Sequence, residues 1–353
     1  MVRGKVTIKD VAQEAGVSIA TVYRAVNDKG RISTQTQARI LETVDRLGYK
    51  ANAAARGLAL RRHFRILVVL PTTPPLFWDD VRKGVRRAAA HLSDYRVEIL
   101  ECYHDQGFID GKSVLCFLAG QAVDAIVLSI VNLPESQALL QYANEHDLPV
   151  ATINEDPVGQ ERLFFYGPDN RQAGSMAAEL VTRFCSRNSR VGIIHTQTAY
   201  ACSTHDYRCQ GFLADYKARH KSLSCDLYAC TAKDVPRRLL SILQEHPDTE
   251  ALYFDQYATL LAACETLTRL KIRPKVVGHE YNSSFAPLLR NGTITALLVQ
   301  EKVCQGYHPV MMMYRYLAGH EKPARSHYYS NINIIIENNM RFLHQDDYGC
   351  GYE

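Results

Sequence analysis

The hydrophobic pattern changes its period near residue 64. Before it, apolar residues recur three and four apart, the spacing that gives a helix one buried stripe. Ile8, Val11, Ala12 and Ala15 form the first stripe. Thr7-x-x-Asp10 opens it, a capping-box-like start with Asp in place of Glu. Gly16 ends it, and Ser18 is a good N-cap for a second helix running to about Val26. On that helix Val22, Ala25 and Val26 share one face, while Ile19, Ala20, Tyr23 and Arg24 share the other. Ser33 caps a third helix, with Ile40, Val44 and Leu47 as its apolar face and Gly48 as its C-cap. The first two helices and their tight Gly-containing turn predict a helix-turn-helix outline.

From Arg65 onward, short apolar runs alternate with amphipathic helical stretches. Strands are predicted at 65–71, 97–103, 125–130, 149–154, 163–167, 190–196, 225–230, 251–255, 275–280 and 295–300. Helices are predicted at 78–92, 134–146, 171–187, 208–220, 257–271 and 302–318. This alternation predicts an α/β fold, with parallel sheets covered by helices on both faces. About ten strands exceed one ordinary doubly wound unit, so two Rossmann-like subdomains are expected behind the all-α head.

Charge separates the same two regions. Residues 1–65 carry 13 Lys or Arg against 5 Asp or Glu, and the remainder carries 28 against 32. A basic, helix-patterned head on a mildly acidic body suggests that the head meets a polyanion. The 353 residues are 46% hydrophobic and 22% charged, enough for a sizeable core. No apolar run approaches the roughly 20 residues needed to span a bilayer. The opening MVRGKVTIKD has no apolar h-region, so a cytoplasmic protein without a membrane partner is expected. The ten cysteines include no C-x-x-C pair, which favours small core hydrophobes over a metal site, and no cofactor is expected.

Catalytic motifs are lacking. No G-x-G-x-x-G follows the first predicted strand, and no G-x-x-x-x-G-K-[ST], H-E-x-x-H or G-x-S-x-G occurs. In open α/β sheets ligands bind at the carboxyl ends of strands, so those positions carry the candidate chemistry. They hold Phe77 and Trp78, then Asn154, Arg208, Asp255, Glu280 and Gln300. Aromatic rings can stack on the C–H face of a sugar, and planar polar groups can bind its hydroxyls. A non-enzymatic binding role for a small carbohydrate-like effector follows. A carboxylate pair of Asp255 and Glu280 in a carbohydrate-processing enzyme, or a sugar-binding transport component, are the alternatives.

The segment VTIKDVAQEAGVSIATVYRAVNDKGRISTQTQARILETVDRLGYKANAAARGL resembles the LacI (lactose repressor) family of bacterial transcription regulators. Its signatures are TIKDVAQEAGVS, TV-x-R-x-VN and LGY-x-x-N-x-x-AR-x-L. The resemblance implies a sequence-specific repressor that acts as a homodimer on a palindromic, double-stranded DNA operator. It places Ile19, Ala20 and Arg24 at base-reading positions, and Thr7, Ser18, Thr21, Tyr23, Asn27, Arg31 and Ser33 near phosphates. Tyr23 stands where the family usually has Ser, and Ala51 where it usually has Pro. A hinge helix at about Asn52–Ala59 is implied to enter the minor groove, through Asn52, Ala55, Arg56 and the wedge residue Leu58. The body is similar to ribose-type periplasmic sugar-binding proteins through YGPDNRQAGSMAAELV, RCQGF, VVGHE and the Gln after TALLV. The implied domains are 6–50 for the head, 51–63 for the hinge and linker, and 64–345 for the effector-binding and dimerisation domain. Within the last, the N-subdomain is expected at 64–166 and 297–326, and the C-subdomain at 167–296 and 327–345. Crossings are therefore expected near 166, 296 and 327.

Overall fold

A computed structural model describes residues 6–26, 32–47, 63–104, 114, 118, 120–129, 133–156, 161–186, 190–197, 203–219, 225–270, 272–319 and 321–343. The predicted DNA-contact residues Asn27, Arg31, Asn52, Ala55, Arg56 and Leu58 lie outside these residues. The chain divides into two compact units, Met1–His63 with Ala318–His320, and Phe64–Leu317 with Glu321–Glu353.

The head holds helices α1 (Ile8–Glu14), α2 (Ile19–Val26) and α3 (Thr34–Leu47). The Asp10 carboxylate accepts from the Thr7 backbone N–H and hydroxyl, both at 2.7 Å. These bonds hold the Asp10 carboxyl below its ordinary range. At the other end of α1, Gly16 adopts φ +62°. Val17 N–H then reaches Ala12 O at 3.0 Å and Gly16 N–H reaches Gln13 O at 3.3 Å, a Schellman closure. Ser18 Oγ accepts from Thr21 N–H at 3.2 Å, and Ser33 Oγ accepts from Thr36 N–H at 3.2 Å, so both predicted N-caps form. Val11, Ala12, Ala15, Val22, Ala25 and Ile40 make one small core. An exposed Arg46–Glu14 ion pair of 2.8 Å ties α3 to α1.

The body is built on two six-stranded sheets. The first contains β1 (Phe64–Pro71), β2 (Val97–His104), β3 (Ala125–Ser129), β4 (Val150–Ile153), β5 (Phe164–Gly167) and β11 (His327–Tyr329). Its order is β11-β5-β4-β3-β1-β2, with every neighbouring pair parallel. The second contains β6 (Arg190–Thr196), β7 (Cys225–Cys230), β8 (Thr249–Phe254), β9 (Lys275–His279), β10 (Ala296–Gln300) and β12 (Ile332–Ile335). Its order is β12-β10-β9-β8-β6-β7, parallel except for the antiparallel edge strand β12. The central strands β1, β3, β8 and β10 are buried almost throughout, as strands covered on both faces must be.

Among the described residues the helices of the body include α4 (Pro75–His91), α5 (Leu133–Glu145), α6 (Asn170–Phe184), α7 (Ser203–Arg219), α8 (Val235–Glu245), α9 (Tyr257–Arg269), α10 (Ala286–Arg290) and α11 (Lys302–Gly319). Two pairs cross at very short range through reciprocal glycines. A Cβ on Gly174 of α6 would lie 1.9 Å from Arg208 O of α7, and one on Gly211 of α7 would lie 2.0 Å from Arg171 O of α6. Likewise a Cβ on Gly84 of α4 would lie 2.0 Å from Val303 O of α11, and one on Gly306 of α11 would lie 1.9 Å from Val81 O of α4. In each case the carbonyl belongs to the residue three before the partner helix's own glycine. Helix α11 is thereby locked to α4, although it follows directly from β10 of the other sheet.

That locking places the crossings. The chain passes between sheets after Gly167, at Glu301 and at residues 330–331. The sequence placed the second near 296 and the third near 327. Instead β10 stays with the second sheet through Gln300, and β11 stays with the first through Tyr329. The three crossings are stitched together. Ser330 N–H donates to Gly167 O at 2.8 Å, and Asn331 Nδ2 donates to Glu301 Oε1 at 3.2 Å.

Candidate functional site

The outward face of α2 is polar and apolar at once. Ile19 is 44% exposed, Ala20 and Arg24 are exposed, and Thr21 is half-buried beside the exposed Ser18. Thr7 and Ser33 are exposed at the starts of their helices. Tyr23 lies on α2, one turn beyond Ile19. The inward residues Val22 and Ala25 complete the head core, so burial does not account for the aliphatic Ile19.

In the body, the carboxyl ends of the second sheet gather a buried polar cluster. Asp255, just beyond β8, is fully enclosed. Its carboxylate accepts from Thr196 N–H at 3.0 Å, from the Thr196 hydroxyl at 2.7 Å, and from His195 Nδ1 at 2.6 Å. The bond to Asp255, with help from Cys209, pushes the His195 imidazole up to about 10 against its partial burial. His195 Nε2 also lies 3.4 Å from Asp206. Arg208 is 4% exposed, with Nε donating to Asn170 Oδ1 and Nη1 to Asp255 O, both at 3.0 Å. The close crossing of α6 and α7 sets this geometry, since the Gly174 contact fixes the backbone of Arg208 itself.

Glu280 follows β9 and adopts φ +63°. Its N–H donates to Leu298 O at 2.9 Å, and its Oε1 accepts from Gln300 Nε2 at 2.7 Å. Gln300 Oε1 in turn accepts from Gln305 Nε2 at 3.0 Å. Glu280 Oε2 is buried and has no hydrogen bond. Burial pushes the Glu280 carboxyl up, against the pull of Lys302, Arg208 and the Gln300 bond. Lys302 Nζ sits 3.9 Å from Oε2, 3.3 Å from Asp80 Oδ2 and 3.3 Å from Leu76 O.

Of the residues singled out in the sequence, Arg208 and Asp255 meet in one network and Glu280 and Gln300 in another. The positive field of Arg208 reaches Glu280 and links the two. Asp255 holds His195 and Thr196 with its carboxylate instead of turning it to open space. Phe77 and Trp78 are in α4, because Pro74 and Pro75 start that helix three residues before the predicted 78. Both rings are buried and pack edge to face, with centroids 4.8 Å apart. Asn154 is half-buried at the end of β4, at φ +64°, and its N–H donates to Tyr166 O at 3.2 Å. Beside the Glu280 network lies a cavity of about 450 Å³, lined among others by Leu76, Asp80, Tyr281, Gln300, Lys302 and Asn333. Arg208 and Asp255 do not line it. Among the described residues no group of three His, Cys, Asp or Glu could hold a metal ion.

Comparison with known proteins decides the family. The model of the periplasmic binding protein domain matches residues 66–321, and that of the bacterial regulatory proteins of the lacI family matches residues 7–52. The chain belongs to the periplasmic-binding-protein family and carries a lacI-family head. The relatives include catabolite control protein A of Priestia megaterium, 36% identical over 130 residues. That match covers 37% of this chain, and the chain spans only 38% of that relative. The ribose operon repressor of Halalkalibacterium halodurans is 24% identical over 70% of each chain. The fold of the body is that of GanP, a glucose-galactose binding protein from Geobacillus stearothermophilus. It has a TM-score of 0.68 and 22% identity, covering 79% of this chain and 99% of that one.

For a periplasmic-binding-protein body, sequence reading missed Asn170, His195, Thr196, Lys302 and Gln305. Asn170 and Lys302 begin helices, where a polar residue reads as a cap. His195 and Thr196 lie inside the strand pattern RVGIIHT, and Gln305 lies inside a helix. Only the pairing of β6 with β8 brings His195 and Thr196 up against Asp255.

Proposed function

We propose that this lacI-family chain is a sequence-specific DNA-binding transcription regulator, a repressor controlled by a small carbohydrate-like effector. The observation that carries the reading is one exposed helix face, Ile19, Ala20 and Arg24, whose aliphatic member has no packing role. An aliphatic side chain in the major groove can touch a thymine methyl, and Arg can bind guanine bidentately. Ser18, Thr21, Tyr23 and Thr7 flank that face as phosphate contacts, with Asn27, Arg31 and Ser33 completing them. The hinge residues Asn52, Ala55, Arg56 and Leu58 supply the minor-groove contact. The operator is palindromic and the protein a homodimer, since two recognition helices must meet two half-sites.

The effector binds between the two sheets, against Arg208, Glu280 and Gln300, with Phe77 and Trp78 as its apolar wall and Asn154 on the opposite sheet. Asp255 acts there as the anchor of the cluster. The buried acceptor Glu280 Oε2 favours a ligand bearing a hydroxyl donor, because an unpaired buried acceptor costs about 1–3 kcal/mol until it is satisfied. The relatives include a ribose operon repressor, which agrees with a sugar. Effector binding changes operator affinity only through its differential affinity for two arrangements of the body.

Thermal-shift screening of the full chain with neutral monosaccharides, sugar acids and polyols tests the effector assignment. A neutral sugar should raise the midpoint of wild type and fail to do so in Arg208→Ala. Stabilisation of both proteins by the same sugar would move the site elsewhere. Turnover of a bound sugar would favour the enzymatic alternative.

A further inference from the structure

The hinge at Glu301 is one residue long. Gln300 ends a strand of the second sheet, and Lys302 begins a helix locked to α4 of the first half by Gly84 and Gly306. Any relative movement of the halves must therefore displace Lys302 against Glu280 and Gln300. Two side-chain links cross this point. Gln305 Nε2 reaches back to Gln300 Oε1 at 3.0 Å, and Lys302 Nζ faces Glu280 Oε2 at 3.9 Å.

The Lys302 ammonium is shared unequally. Asp80 Oδ2 and Leu76 O, both on α4, lie at 3.3 Å, within reach of hydrogen bonds. Glu280 Oε2 lies farther off and is attracted without being hydrogen-bonded. Asp80 is itself supported by Lys83 at 2.7 Å, so it does not depend on Lys302 alone. Glu280 has only Gln300 on its other oxygen. The Lys302 side chain is 11% exposed and Glu280's is 9% exposed, so water does little to screen their attraction.

We propose that Lys302 is a positioning residue that couples the state of Glu280 to helix α4 across the Glu301 hinge. Lys302 is seated on Asp80 and the Leu76 carbonyl, and Glu280 Oε2, while it lacks a hydrogen-bond donor, competes for the same ammonium from the other side. A donor placed on Oε2, such as an effector hydroxyl, weakens that competition and tightens Lys302 on Asp80 and on the Leu76 carbonyl. The first turns of α4 then sense a change made in the other half. The inference takes the Glu280 pocket from the proposed function, but the coupling itself needs neither DNA nor effector to be measured.

The test is hydrogen exchange of the full chain, comparing wild type with Glu280→Gln, Asp80→Asn, Lys302→Met and Lys302→Arg. Glu280→Gln removes the charge that pulls Lys302, and it should slow exchange in the peptide covering residues 76–84 severalfold. Lys302→Met should raise exchange in that peptide and abolish the response to Glu280→Gln when the two are combined. Lys302→Arg should restore it, and Asp80→Asn should mimic Lys302→Met at residues 76–84. Confinement of the Glu280→Gln effect to residues 278–282, with additive behaviour in the Lys302→Met double variant, would overturn the proposal. If Lys302→Met does not fold, Glu280→Gln and Lys302→Arg still decide it. Failure to bind operator would refute the proposed function and leave this result standing.

Discussion

His195 Nδ1 lies 2.6 Å from Asp255 Oδ2, and the Asp255 carboxylate is sealed from solvent. The imidazole is held charged, at about 10 against an ordinary value of 6.5. Because the folded value is the higher one, the pair stabilises the fold fully below about pH 6.5. That contribution shrinks as the pH climbs and is gone above about 10. His195→Gln should therefore cost about 1.5–3 kcal/mol at pH 6.5, the usual worth of a hydrogen bond to a charged group. The gap to wild type should narrow steadily towards pH 10. Urea unfolding across that range checks it, and a gap independent of pH would show that His195 is neutral in the fold.

Removing the acceptor is more severe. Asp255→Asn leaves an imidazolium with only the exposed Asp206 as counter-charge, and breaking a buried pair typically costs about 3–5 kcal/mol. The same change should loosen Arg208, whose Nη1 bonds to the backbone carbonyl of residue 255. Chemical unfolding gives the cost directly. A loss below about 1 kcal/mol would mean that Thr196 and the backbone alone hold the strand end.

Gly174→Ala should act on Arg208 from a distance. The new Cβ would meet Arg208 O at 1.9 Å, so α6 and α7 must separate. Overpacking of this kind costs about 1–3 kcal/mol. Sugar stabilisation in a thermal-shift assay should fall together with stability. An unchanged sugar response would mean that the glycine contact does not set the guanidinium position.

Two neighbours on α2 should behave in opposite ways. Ile19 is 44% exposed, so Ile19→Ser should alter stability by no more than about 0.5 kcal/mol while changing base preference. Val22 is fully buried, so Val22→Ala should cost on the order of 1–3 kcal/mol. Thermal unfolding of each variant, followed by binding-site selection, separates the two effects. A strong stability loss in Ile19→Ser would give that side chain a packing role instead.

The head was the most legible part of the sequence. Its caps at Ser18 and Ser33, the Gly16 turn and the Val11–Val22–Ile40 core all follow from local chemistry, and local chemistry formed them. All ten predicted strands of the body are present, because buried parallel strands are continuous apolar runs. The edge strands β11 and β12 went unseen. HYY and INII are short and half-exposed, and only their partners β5 and β10 make them strands. The crossing placed near 166 agrees with the end of β5, while the second and third fall a few residues later than the sequence placed them; ownership of Glu301 depends on the glycine contacts of α11, which no local pattern encodes. Arg208, Glu280 and Gln300 were singled out by their position at strand and helix ends, and the fold buries all three in polar networks. Lys302 was not, since a lysine opening a helix looks like an ordinary surface charge until Asp80 and Glu280 are folded around it.

Sequence reading by the head is directly measurable. Selection of binding sites by the full chain from a random duplex library, at near-physiological salt, tests it most directly. A palindromic motif should be enriched and bound much more tightly than random duplex, with affinity falling steeply as salt rises. A selected pool with no motif, bound no better than random DNA, would contradict it.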